Sequence, residues 1–121
     1  MPDSELTAVL DSLRIAVTSF GPDGRLRSVN AHFSYIFRDF PGAALGMPYA
    51  QMIRREIDSG QIASSNYTDG ADAFIARRLA QLQDGHYAPR DILLADNRIV
   101  EIKARRTRDG KAVLLWSDVT Q

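Results

Sequence analysis

The residues whose types suit chemistry are few and scattered. His32 and His86 are the two histidines. Neither has a carboxylate or a second histidine at a metal-ligand spacing. Asp91, Asp96, Asp109 and Asp118 fall mostly at expected turns or strand ends, where an Asp side chain completes local geometry. There is no Ser–His–Asp spacing and no glycine-rich phosphate loop, so the chain is not expected to be an enzyme. Cysteine is absent, which excludes disulfides, thiolate metal sites, a thiol nucleophile and a cysteinyl adduct with a flavin. The basic run KARRTR, residues 103 to 108, has the composition of an anion site. On a strand, however, Lys103 and Arg105 share a face with Glu101, which predicts a solvated charge network. Arg106 falls on the opposite side, with Val100, Ile102 and Ala104; it could contact a polar ligand or sit at the sheet's rim, and the rim is the favoured place. Asn30 stands where a helix begins and reads as its N-cap, accepting a free backbone N–H of the first turn. The alternative is a hydrogen bond from Asn30 into a pocket.

The whole chain bounds what these residues can serve. Its 121 residues suit one domain with a single core. Fifteen Lys and Arg against fifteen Asp and Glu give zero formal charge, without the basic surplus that nucleic acid or an anionic membrane selects. The first residues, MPDSELTAVLDSL, are acidic where a secretion signal is basic. No apolar run approaches the ~18 residues of a membrane span. A cytoplasmic location is expected.

Periodicity supplies the elements. Leu6, Val9, Leu10 and Leu13 fall at i, i+3, i+4 and i+7, an apolar stripe on a short helix capped by Ser4. Ile15 to Phe20 and Arg25 to Val29 read as strands around the turn Gly21-Pro22-Asp23-Gly24. Short helices are predicted over 31–37 and 49–57, with Met52, Ile53 and Ile57 on one side of the second. A loop follows over 59–70. The best helix spans Asp72 to Gln83, with Phe74, Ile75, Leu79 and Leu82 at helical spacing and Gly85 as its stop. Three strands close the chain, Tyr87 to Leu94, Arg98 to Thr107 and Ala112 to Val119. Their short turns make them an antiparallel meander. Five strands with helices inserted after the second define an α+β fold. In the last strand Val113 and Leu115 face one side and Leu114 and Trp116 the other. Both faces therefore call for a cover: the middle helices on one, the N-terminal helix or a second copy of the chain on the other.

In this order the segments LRIAVTSFGPDGRLRSVNAHFSYIF and DILLADNRIVEIKARRTRDGKAVLLWSDVT resemble a PAS domain, a sensory and dimerisation module of bacterial signalling proteins. The resemblance covers about residues 5 to 121, with residues 1–14 as an N-terminal helix and 15–121 as the core. It implies a five-stranded antiparallel sheet with short helices on one face and the N-terminal helix on the other. Asp-Val-Thr at 118 to 120 resembles the family's closing triplet, so Asp118 and Thr120 would anchor the exit toward an output domain, a histidine kinase or a cyclic-di-GMP enzyme. The chain is expected to be a fragment of a longer protein. A homodimer would form through Leu6, Val9, Leu10, Leu13, Val113 and Leu115. Any ligand, a small apolar one, would lie among Phe33, Phe37, Ile75, Leu79, Ile102, Leu114 and Trp116. The same residues also make a closed core. No cofactor is expected: haem-binding members draw their axial histidine from the central helix, here residues 72 to 83, which has none. Two departures stand out. Ser19-Phe20-Gly21 lacks the family's usual Asp before the first turn, and Asp96-Asn97 replaces Asp-Gly. The rival readings are a ligand-free protein-docking domain and a small isomerase-like α+β enzyme, the latter lacking a paired Asp and Tyr.

Overall fold

The computed structural model describes residues 9, 12, 14–37, 44–84 and 90–120. The chain runs β1 (Ala16–Phe20), β2 (Leu26–Val29), α1 (Phe33–Ile36), α2 (Tyr49–Asp58), a 3-10 turn (Ser64–Tyr67), α3 (Ala71–Asp84), β3 (Arg90–Leu93), β4 (Ile99–Arg106) and β5 (Ala112–Asp118). The five strands form one antiparallel sheet of order β2-β1-β5-β4-β3. The fold is α+β, as expected, and β3, β4 and β5 form the expected meander. The last strand lies in the middle, paired to β1 on one side and β4 on the other. Because Ala16 pairs with Trp116, the start of β1 lies beside the end of β5.

Turn chemistry sets these pairings. Gly24 closes the first hairpin at φ 76° and Gly110 the last at φ 84°, a region where a side chain is disfavoured. Asn97 takes the same role at φ 72°, so the missing glycine is replaced by the residue that best tolerates this geometry. Alternation then sorts the sheet's faces. Ala16, Thr18, Phe20, Ile102, Ala104, Ala112, Leu114 and Trp116 are buried on the inner face. There α1 packs on β1 and β5, and α3 on β4 and β5. On the outer face Val17, Val113 and Leu115 are half-buried, next to exposed Lys103 and Arg105.

One expectation is overturned. Asn30 does not cap a helix: α1 starts at Phe33 behind His32, and no side chain caps it. The Asn30 side chain instead accepts the backbone N–H of Val17 (2.9 Å) and donates to the carbonyl of Ile15 (2.9 Å). A side-chain amide carries one acceptor and two donors, so it imitates a peptide group and lengthens the β1–β2 ladder. Of the residues expected to form an N-terminal helix, Val9 and Ser12 are helical, and Val9 is 53% exposed. Leu6, Leu10 and Leu13 lie outside the described residues, as do Gly85, His86 and Tyr87. Among the described residues no helix is long and apolar enough to cross a membrane.

Candidate functional site

The two longest helices bring a polar cluster into the core. On α2, Tyr49, Met52, Ile53 and Glu56 recur at helical spacing and are all buried. On α3, Phe74, Ile75, Arg78, Gln81 and Leu82 do the same. Packing α2 on α3 sets Tyr49, Glu56 and Arg78 side by side. Arg78 donates from Nε (3.0 Å) and Nη2 (2.6 Å) to the Tyr49 hydroxyl. Its guanidinium carbon stands 5.3 Å from the Tyr49 ring centre, 5.4 Å from Phe74 and 5.3 Å from Trp116. Each distance lies within the range of cation–π attraction.

The counter-charge is poorly joined. Glu56 Oε1 lies 3.7 Å from Arg78 Nη2, beyond hydrogen-bond reach. Both Glu56 oxygens and Arg78 Nη1 are buried without a hydrogen-bond partner among the described residues. Burial pushes the Glu56 carboxyl up to about 7, against the opposing pull of Arg78. Burial likewise pushes the Tyr49 hydroxyl up to about 12, so it stays neutral. Gln81 completes the polar layer by donating to the carbonyl of Ile102 (3.0 Å).

Among the described residues, two clefts border α3. One, of about 230 Å³, has Asn66, Phe74, Arg78, Gln81 and Ile92 in its lining. The other, also about 230 Å³, lies beside the β1–β2 turn, with Leu79, Leu82 and Arg106 in its lining. Arg106 sits at the rim, as expected, donating to the carbonyls of Gly110 (2.7 Å) and Leu82 (3.4 Å). Lys103 and Glu101 form the expected solvated pair at 3.6 Å.

The residues expected to line a pocket come together. Phe33, Phe37, Ile75, Ile102, Leu114 and Trp116 are buried in one cluster, and Leu79 packs against it half-buried. Phe33 and Phe37 each meet Trp116 edge-on at 5.5 Å, a favourable aromatic geometry. The Trp116 indole donates to Thr18 (3.0 Å). Arg98 holds α1 over this cluster by donating to the carbonyls of Tyr35 (2.8 Å) and Ile36 (2.7 Å). At the end of β5, Asp118 accepts the N–H of Thr120 (2.9 Å), whose hydroxyl accepts the N–H of Ile99 (2.7 Å). His32 is half-buried and packs on Tyr35. Among the described residues no three His, Cys, Asp or Glu side chains gather as a metal would need.

Sequence reading did not single out Tyr49, Glu56, Arg78 or Gln81 as a group. The signal was positional: Glu56 follows Met52 and Ile53 by four and three residues, and Arg78 follows Phe74 and Ile75 likewise. Each polar residue stood on an apolar stripe.

The chain matches the PAS fold family over residues 10–121, and it belongs to that family. Among solved structures it is similar to a domain of a sensory box sensor histidine kinase/response regulator from Geobacter sulfurreducens. The identity is 18%, the TM-score 0.58, and the match covers 97% of this chain and 94% of that one. It is similar also to the PAS domain of an HTR-like protein from Haloarcula marismortui (14% identity, 98% and 92% covered, TM-score 0.54). A third similar structure is a sensory box sensor histidine kinase from Vibrio cholerae (17% identity, 98% and 90% covered, TM-score 0.50). No curated protein matches the sequence.

Proposed function

We propose that this chain is a sensory module that regulates an attached output domain, a histidine kinase or a cyclic-di-GMP enzyme, from a cytoplasmic position. Membership of the PAS fold family and the sensor-kinase origin of similar structures support the class. One observation carries the reading: the Arg78 guanidinium lies 5.3 Å from the Trp116 ring, and Trp116 stands two residues before Asp118 on β5. A change at the buried cluster reaches the strand whose end Asp118 and Thr120 fix. A protein built only for stability gains little from a buried carboxyl that has no hydrogen-bond partner among the described residues. In this reading two copies pack through Leu6, Val9, Leu10, Leu13, Val113 and Leu115, and the signal is a shift in that packing.

Sedimentation of the wild type, Leu10→Asp and Leu115→Asp tests the mechanism. A concentration-dependent dimer that both variants weaken is expected. A wild type that stays monomeric at high concentration, with both variants indistinguishable from it, removes dimer-based signalling through this face. The edge-on packing of Phe33 and Phe37 on Trp116 favours a second reading, a docking domain whose apolar centre takes no ligand. Native mass spectrometry separates the two, since retained small molecules favour sensing.

A further inference from the structure

Arg78 is 4% exposed and Glu56 fully buried, yet they do not satisfy each other. Nε and Nη2 of Arg78 are spent on Tyr49, while Nη1 has no partner among the described residues. Leaving a buried donor unpaired is costly, and more so on a charged group. The same side chain lines the cleft shared with Asn66, Phe74, Gln81 and Ile92. A buried cation whose Nη1 is unsatisfied among the described residues thus stands just behind the wall of a space large enough for a small molecule.

We propose that this cleft admits a small organic carboxylate, which pairs with Arg78 in place of Glu56. The proposal rests on the sensory reading and gives it a ligand class. A planar carboxylate matches the guanidinium fork. Phe74 and Ile92 offer apolar surface to the body behind it. A phosphate dianion fits less well, because one guanidinium balances a single charge and Asp91 on the cleft lining repels a second. Of the other charged groups, Arg77 on the lining is committed to Asp69 (2.5 Å), and Tyr49 is neutral. The competing anion is therefore Glu56. Its carboxyl, held near 7 by burial, is mostly protonated about one pH unit below that value and mostly ionised one unit above. In the protonated form Arg78 lacks its counter-ion and an incoming carboxylate supplies it.

Benzoate titrated into uniformly 15N-labelled protein, followed by amide NMR shifts, tests this. Wild type should show saturable shifts along α3 and β3, with affinity about tenfold weaker at about pH 8 than at about pH 6. Glu56→Gln, which cannot ionise, should bind equally at both values. Folded Arg78→Met should not bind. Three results overturn the proposal: no saturable shift in wild type and Glu56→Gln at the lower pH, undiminished binding by folded Arg78→Met, or tighter binding of inorganic phosphate than of benzoate. Should Arg78→Met not fold, the pH dependence of wild type against Glu56→Gln decides, and equal dependence in both overturns it. If benzoate fails while the dimer behaves as proposed, the ligand class falls and the sensory reading stands.

Discussion

Glu56 is fully buried, and its carboxyl has no hydrogen-bond partner among the described residues to hold its charge, and stability must register that. Its carboxyl titrates near 4.5 ordinarily and near 7 in the folded chain. Below the lower value both states hold the proton, and stability does not depend on this group. Between the two values the unfolded chain releases the proton and the folded chain keeps it, so stability falls as pH rises. Above 7 the fall levels off, after a loss on the order of 3 kcal/mol. Urea unfolding across this range should show that decline in wild type and a flatter profile in Glu56→Gln. Parallel profiles for the two proteins would remove Glu56 as the titrating group. The residue was legible in part. Its place beside Met52 and Ile53 marks it as inward-facing. Its partner lies on another helix, however, and the meeting of α2 with α3 is a tertiary fact that no single stripe contains.

At the scale of elements, periods and turns carried most of the fold. α2, α3, β4 and β5 arise where apolar spacing and turn residues put them, because each is long enough for the pattern to repeat. The junction after β2 misled, since Asn serves equally as a helix cap and as a substitute peptide. The choice depended on whether β1 lay within reach, and it does. Asn30→Ala should therefore strip partners from both Val17 and Ile15, lowering stability by about 1–3 kcal/mol. Asn30→Asp still accepts from Val17 but cannot donate to Ile15, and should lose more than a cap would. An N-cap tolerates Asp as well as Asn. Chemical denaturation of the three proteins distinguishes these roles: Asp equal to Asn would restore the capping account.

For the whole molecule, the position of β5 decides how the parts depend on one another. It pairs with β1 and β4, and its inner face receives α1 and α3. Leu114 sits mid-strand, fully buried, between Thr18 and Ala104 on the neighbouring strands. Removing its side chain leaves a cavity on the strand against which β1, β4, α1 and α3 all pack. Leu114→Ala should cost about 2–5 kcal/mol, a large share of the ~5–15 kcal/mol that holds a domain together. Trp116 is the single tryptophan and is buried two residues away on the same face, so its fluorescence reports this centre while far-UV circular dichroism reports the helices and sheet together. If β5 ties the layers into one cooperative unit, both signals should move to a lower urea midpoint together, with the slope unchanged. A tryptophan signal that melts before the circular dichroism would mean that the sheet's centre and the α2–α3 pair unfold separately. A change at Arg78 would then have no rigid path to the end of β5 at Asp118.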